Sequence, residues 1–295
     1  MSMDTFVHLE VLSGFSFLWG TFSPEDLVEA AVSKGHRAVA LTDYGLHGAV
    51  RFYKAAVKRG IQPIIGSKLP IWDGSHVIFL ASDFKSYGNL CRLVSIVSDF
   101  GVLSRQDLSH YSKGLLTIAG LRDSRINRSL NNGRLSVAEF CLQELRSVLK
   151  DPEMVFLSVR NNGETDQPIE NVISLAQTNN IEIVATNEVT FLTSQDYILH
   201  RILVDIQRKH HHRTVIPLPN DTFFFTSGYE MRSRIKNDRA IENTQYVASL
   251  CKGFSFPLGR LHPPYIKDPR EASLNLSKRC FRELAMRRSN VGIEY

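Results

Sequence analysis

Four cysteines in 295 residues, Cys91, Cys141, Cys251 and Cys280, form no C-x-x-C pair, which removes thiolate zinc sites and the disulfide framework of small secreted domains. Membrane-length apolar runs are missing too: the best pieces, "VIFLA" and "GLLTIAGL", fall far short of the about 18 residues a span requires. The first ten residues carry neither the basic block nor the apolar block of a signal peptide. These absences set the expectation of a cytoplasmic chain with no membrane partner. No Walker-type loop, G-x-G-x-x-G, G-x-S-x-G or H-E-x-x-H occurs, so nucleotide-binding loops and the common hydrolase motifs receive no support. Internal repeats are absent, and low complexity is confined to three consecutive histidines.

What is present is ordinary globular material, 43% hydrophobic and 22% charged, long enough for one large domain with an appendage or for two domains. The net charge of +5 is mild, but residues 270–295 hold six Arg/Lys against three Glu and supply +3 of it. Such an excess points weakly to nucleic acid, and the solvated face of a helix is the plainer reading.

Short β-rich runs alternate with helical periods: "TFVHLEV", a helix from Pro24, "AVAL", a helix from about Leu46, "IQPIIG", "VIFLA", a helix over 87–97, "GLLTIAG", a helix over 137–149, "MVFLSV", a helix over 168–179, and "IEIVATN". Ser23 caps the first helix, with Pro24 at its first position and Asp26 three residues after the cap. Alternation of this kind implies parallel strands joined by crossovers. About seven such units favour a closed α/β barrel over a doubly wound sheet, and either architecture places ligands at the carboxyl ends of the strands. Beyond Asp205 the pattern degrades into "RKHHHRTVIPLPNDTFFF", which reads as a loop, followed by helical segments over 229–235, 240–251 and 272–288.

Polar residues stand where strands finish: Glu10, Asp43 after "AVALT", Lys68 after "PIIGS" and Glu188 after "IVATN", while His76 begins "HVIFLA". Loops begin at such places and loops are polar, so spacing alone leaves a site and a plain loop start about equal.

The stretches "FVHLEVLSGFSFLWG", "AVALTDYGLHGAVRFYKAAVKRGIQPIIG", "HVIFLASDFKSYGNLCRLVS" and "IVATNEVTFLTSQDYILHRIL", in that order, resemble successive blocks of the PHP (polymerase and histidinol phosphatase) domain of bacterial DNA polymerase III alpha subunits. "FSFLWGTFSPEDLVEAA" leans toward the error-prone branch, and the similarity extends to "TFFFTSGYEM" and "AIENTQYVASLC". The resemblance implies a distorted seven-stranded parallel β/α barrel with a mainly helical C-terminal extension: a barrel core over 1–205, its completion over 206–269, and a basic segment over 270–295 leading to a palm domain that the chain does not contain. Members with an intact site resemble "HLHVHS", "TDHG", "GCE" and "ATNDVHY" at four strand ends, where a metal cluster supports phosphoester hydrolysis. Here the two motif histidines are Glu10 and Leu12, the acidic residue before the glycine is Trp19, and the second-strand histidine is Tyr44. The third-strand acid is Lys68, the final pair is Glu188 and Thr190, and only Asp43 and His76 match outright.

Those replacements oppose a metal. Leu12 and Trp19 offer no lone pair, whereas zinc or manganese needs three or more converging ligands with oriented partners. An ammonium about 4 Å from a cation is repelled by about 4 kcal/mol per unit charge at an effective dielectric near 20. The substitution to lysine therefore suggests an internal cation paired with one or more of Glu10, Asp43 and Glu188. A four-ligand site of Glu10, Asp43, His76 and Glu188 is the rival, and it requires Lys68 to point outward.

"RKHHHR" is the densest basic cluster; it reads as a surface loop, with Arg208, Lys209 and Arg213 as candidate nucleic-acid contacts. Phe223, Phe224 and Phe225 could stack bases, but a consecutive apolar triplet more often anchors in a core. His200 reads as a partly buried helix residue. The resemblance thus implies a noncatalytic scaffold module of a polymerase used in DNA replication or error-prone repair. Its implied partners are the remainder of the polymerase chain, a proofreading exonuclease, and DNA through the parent enzyme. No cofactor is implied in this stretch, magnesium belonging to the palm. A metal-dependent phosphoesterase with a reduced site and a freestanding adaptor are the alternatives.

Overall fold

Ser23 does what its spacing requires: its hydroxyl accepts from the Asp26 amide at 3.1 Å while Asp26 Oδ2 accepts from the Ser23 amide at 3.1 Å, starting helix α1, Pro24–Ser33. The computed structural model describes residues 6–163, 169–211, 218–259 and 268–289. The chain divides into two units, Met1–Phe256 and Pro257–Tyr295.

In the first unit six strands form one sheet in sequence order: β1 Ala38–Leu41, β2 Gln62–Pro70, β3 His76–Ala81, β4 Leu115–Ala119, β5 Val155–Val159 and β6 Glu182–Ala185. After α1 the helices are α2 Ala49–Lys58, α3 Phe84–Phe100, α4 Arg105–Tyr111, α5 Arg125–Asn131, α6 Leu135–Val148, α7 Ile169–Thr178, α8 Tyr197–His211, α9 Gly228–Ile235 and α10 Asp238–Leu250. The second unit contributes α11, Pro269–Ser289, whose described side chains are all at least partly exposed.

Two expectations are corrected. The sheet is mixed rather than parallel: β1–β2 and β4–β5–β6 are parallel, but β2–β3 and β3–β4 are antiparallel. The cause is a tight turn, since only residues 71–75 separate Pro70 from its register partner His76, and a parallel crossover needs about a dozen residues. Moreover, six strands rather than seven are formed among the described residues, and their pairing leaves the sheet open. The missing strand is residues 7–12. Two of its amides are taken by hydroxyls instead of a neighbouring strand, Val7 N by Thr244 Oγ1 at 2.9 Å and Val11 N by Thr42 Oγ1 at 2.8 Å. The segment still touches backbone on both sides. Ala40 N donates to His8 O and Thr42 N to Val11 O, both at 2.9 Å, while Leu12 N donates to Val189 O at 2.8 Å and Val189 N to Glu10 O at 3.0 Å.

Every residue of β1, β4 and β5 is buried, as strands covered on both faces should be. Val39, Leu41, Ile65 and Phe79 pack in one cluster with Leu27, Phe52 and Leu90 of the helices. Ala40, Ile64, Ile78, Ile118, Phe156 and Val184 share a second cluster with Leu9 and with Val247 of α10. Edge strands β1 and β6 thus meet in one apolar interior, which is what a curled half-barrel provides.

The histidine-rich stretch is also corrected. Arg208 and Lys209 lie in α8, not in a loop, because the helix, with Leu203, Val204 and Gln207 on its covered face, continues to His211. Arg213 lies outside the described residues. Phe223 and Phe225 are buried and Phe224 is half-buried, so the triplet is anchored in the core.

Candidate functional site

The strand directions bring the carboxyl ends of β1, β2, β4, β5 and β6 and the amino end of β3 to one end of the sheet. At that end Lys68 of β2 is 1% exposed, Glu10 0% and Glu188 1%. Lys68 Nζ donates to Glu10 Oε1 and to Glu188 Oε1, each at 3.0 Å. Arg122, just beyond β4, donates through Nε to Glu188 Oε2 at 2.8 Å. A buried ion is costly unless paired and hydrogen-bonded, and here each Glu188 oxygen has its own cation.

The protonation states follow from those contacts. Burial works against the Lys68 ammonium, but the charges of Glu188, Asp123 and Glu10 outweigh it and hold its pKa well above the ordinary lysine range. Burial would raise the Glu188 carboxyl, yet Arg122 and Lys68 bring it down to about 2. Asp123 is opposed by burial in the same way and is lowered by Lys68 and His76, with His76 Nδ1 2.6 Å from Asp123 Oδ2. Arg160, following β5, is buried and donates to Gly120 O at 3.0 Å and Ser158 Oγ at 3.1 Å. Burial lowers its pKa, and Glu10 and Glu188 pull the other way. Glu10, Asp123 and Glu188 therefore stand among Lys68, Arg122 and Arg160: three carboxylates with three cations.

The backbone of Lys68 donates to Asp43 O at 3.1 Å, but the Asp43 carboxylate is held by serines rather than by the ammonium. Its Oδ1 accepts from Ser13 N at 2.7 Å and Ser16 Oγ at 2.6 Å, and its Oδ2 from Ser13 Oγ at 2.8 Å. Burial raises its pKa against those hydrogen bonds. Asp43 thus fastens residues 13–16 to the end of β1. The ring of Tyr44 lies 5.7 Å from that of His76, and burial pushes the phenol pKa up. Leu12 and Trp19 belong to an apolar cluster with Phe191, Val204, Leu218 and Phe223. Thr190 serves as backbone, its N–H donating to Phe223 O at 3.2 Å and its carbonyl accepting from Thr21 N at 3.0 Å. His200 is buried with Nδ1 2.9 Å from Trp19 O. Arg208 and Lys209 are exposed on α8, where Arg208 Nη1 lies 3.8 Å from Asp205 Oδ1.

Residue-by-residue reading of the sequence missed Arg122, Asp123, Arg160, Ser13 and Ser16. A signal existed for two of these places: "LRD" follows the "LLTIAG" strand and an arginine follows "VFLSV", the same strand-end position that marked Glu10 and Lys68.

The PHP-type metal cluster does not fit these residues. The Lys68 ammonium takes the place between Glu10 and Glu188 that a cation would need, two ligand positions are apolar, and Asp43 is engaged by serines. Among the described residues no group of three or more His, Cys, Asp or Glu side chains is arranged to hold a metal ion.

A family model described as PHP domain matches residues 8–159. A DNA polymerase III subunit alpha from Buchnera aphidicola subsp. Acyrthosiphon pisum is 29% identical over 273 residues, which is 86% of this chain and 23% of that protein. An error-prone DNA polymerase from Symbiobacterium thermophilum is 30% identical over 292 residues, 88% of this chain and 26% of that protein. The chain therefore spans about a quarter of the length of these curated relatives. Among solved structures, a two-domain Bacteroides vulgatus protein containing a predicted PHP-like metal-dependent phosphoesterase aligns at a TM-score of 0.40 and 14% identity, over 64% of this chain and 54% of that one. Among the described residues no helix is long and apolar enough to cross a membrane.

Proposed function

We propose that this chain, which belongs to the PHP domain family, serves as a noncatalytic scaffold module of a bacterial DNA polymerase III alpha-like polymerase. The observation that carries the reading is the Lys68 ammonium seated 3.0 Å from both Glu10 and Glu188. Hydrolysis of a phosphoester at such a site requires a metal to polarise the phosphoryl oxygen and activate water. A fixed ammonium does neither, because it offers no open coordination position and no acidic water.

The polymerase context rests on the relatives. Both are polymerases several times longer than this chain, one an alpha subunit and one of the error-prone kind. On this reading DNA synthesis, its magnesium and its catalytic carboxylates belong to a palm domain elsewhere in the parent. The partners are the rest of that polymerase, a proofreading exonuclease, and DNA held by the whole enzyme in the cytoplasm. Residues 1–205 act as the barrel core, 206–269 complete it, and 270–295 lead toward the palm. The backbone bonds on both sides of residues 7–12 support a further step, in which this segment takes the place of a seventh strand and closes the barrel.

The test is metal analysis of the purified chain together with hydrolysis of a chromogenic phosphodiester in the presence of manganese or zinc. Substoichiometric metal and no turnover are expected. Tightly held stoichiometric metal, with turnover abolished by Glu10→Gln, would favour the reduced-site phosphoesterase and sink the scaffold reading.

A further inference from the structure

We propose that the outer face of α8 docks a helix from elsewhere in the parent polymerase, one whose apolar face is edged with Asp or Glu. The inference deepens the scaffold reading and rests on it. Outward, α8 shows Ile198 at 67% exposed, Leu199 and Ile202 at 51% each and Ile206 at 39%. Positions 198, 202 and 206 lie a turn apart and Leu199 sits beside them, so the four form one stripe. Inward, Val204 joins Leu12, Trp19, Phe191, Leu218 and Phe223, while His200 Nε2 and Gln207 Oε1 are buried without a hydrogen-bond partner among the described residues. Buried polar atoms are ordinarily paired, and a surface helix ordinarily turns its polar side to water. α8 departs from both rules, which marks its outer face as a contact surface.

Area and charge select the occupant. A stripe on the order of a few hundred Å² is large enough to mark a contact, but it is smaller than the about 800 Å² per partner of a freely associating pair. A segment of the same chain needs less, because linkage raises its effective concentration. The curated relatives match this chain over 23% and 26% of their own length, so a polymerase of that kind has ample chain to supply the helix. Arg201, Asp205 and Arg208 follow one edge of the stripe and Lys209 continues its line, all four exposed. Arg208 lies 3.8 Å from Asp205, and Arg201 and Lys209 form no ion pair among the described residues. A second copy would set this positive edge against itself, which like charges oppose, whereas an acidic edge complements it.

The experiment compares amide hydrogen exchange over 201–207 between residues 1–295 and the natural gene product that contains them, without DNA and then with it. Docking is expected to slow these amides at least about tenfold in the longer chain, more than those of α2 and α6, since local opening is read site by site. Ile202→Glu should leave the urea midpoint of residues 1–295 unchanged, because that side chain is half exposed, and should return α8 of the longer chain to the faster rate. If that variant lowers the midpoint, Ile202→Gln takes its place. Arg201→Glu should lose part of the protection; full protection in it would strike the acidic edge, and the proposal with it. Equal exchange in the two chains, protection that survives the change at Ile202, or a gene product no longer than residues 1–295 would overturn the docking face. So would protection that rises with concentration in residues 1–295 alone, the mark of a second copy, or that appears only with DNA. Turnover or stoichiometric metal in the unmodified chain sinks the scaffold reading whatever α8 does, whereas fast α8 exchange in a metal-free, inactive chain removes the docking face alone.

Discussion

Glu188→Gln isolates the acid dependence of the buried charge cluster. In the folded chain the carboxyl falls from its ordinary 4.5 to about 2: burial pushes upward, while Arg122 and Lys68 pull it down further. A carboxyl depressed by folding contributes stability that is fully present above its unfolded value and is lost as pH falls through the folded one. The interval from 4.5 to about 2 corresponds to on the order of 3 kcal/mol at neutral pH. Replacing the carboxylate also strands Lys68 and Arg122, and breaking a buried pair from one side costs about 3–5 kcal/mol. The two routes agree in size, so the variant should be less stable than the native chain by roughly 3 kcal/mol at pH 7. Urea midpoints at a series of pH values read this directly. The gap between native and variant should narrow as pH falls below 4.5 and become small near 2, where the native carboxyl is itself half protonated. A gap that stays constant down to pH 3 would refute the assignment of Glu188 as the ionised partner of both cations. Other depressed carboxyls, among them Asp83, Asp151, Glu182 and Glu230, steepen the acid loss in both proteins and cancel in the difference.

Legibility in the sequence tracked whether the physics was local. The Ser23, Pro24 and Asp26 start of α1 was readable because a capping box is complete within four residues. Ser104 with Asp107 and Ser124 with Asn127 cap α4 and α5 in a similar way, and these short helices were passed over because seven residues give too little apolar periodicity. The antiparallel turn between β2 and β3 is legible only in the five residues between Pro70 and His76, because alternation of strand and helix types carries no strand direction. The loss of strand character in 7–12 depends on Thr244, more than two hundred residues away, and no local pattern reports it. At the site, the sign change at Lys68 was visible and its two partners follow from charge. Arg122 and Arg160 were not singled out, because an arginine after a strand is uninformative until the fold shows which acid it faces.

Three further outcomes follow from named contacts. Ser23→Ala should cost about 1 kcal/mol, the usual loss for an N-cap, read by urea denaturation with no change at the charge cluster. Asp43→Asn, which keeps an acceptor for the Ser13 amide and Ser16 hydroxyl, should cost less than about 1.5 kcal/mol, whereas Asp43→Ala orphans those donors and should cost about 2–3 kcal/mol; equal losses would show that Asp43 is needed for charge rather than for fastening residues 13–16. Trp19→Asp restores the acidic residue type that the family resemblance implies at this place, and it separates the shape of a site from its chemistry. Trp19 packs with Leu12, Phe191 and Phe223, so the carboxylate would enter an apolar cluster while the ammonium between Glu10 and Glu188 stays in place. Loss of the aromatic burial alone is worth about 3–5 kcal/mol, and manganese added during urea titration should return none of it. A metal-dependent recovery of the midpoint would mean that one missing ligand, rather than the resident cation, is what keeps a metal out.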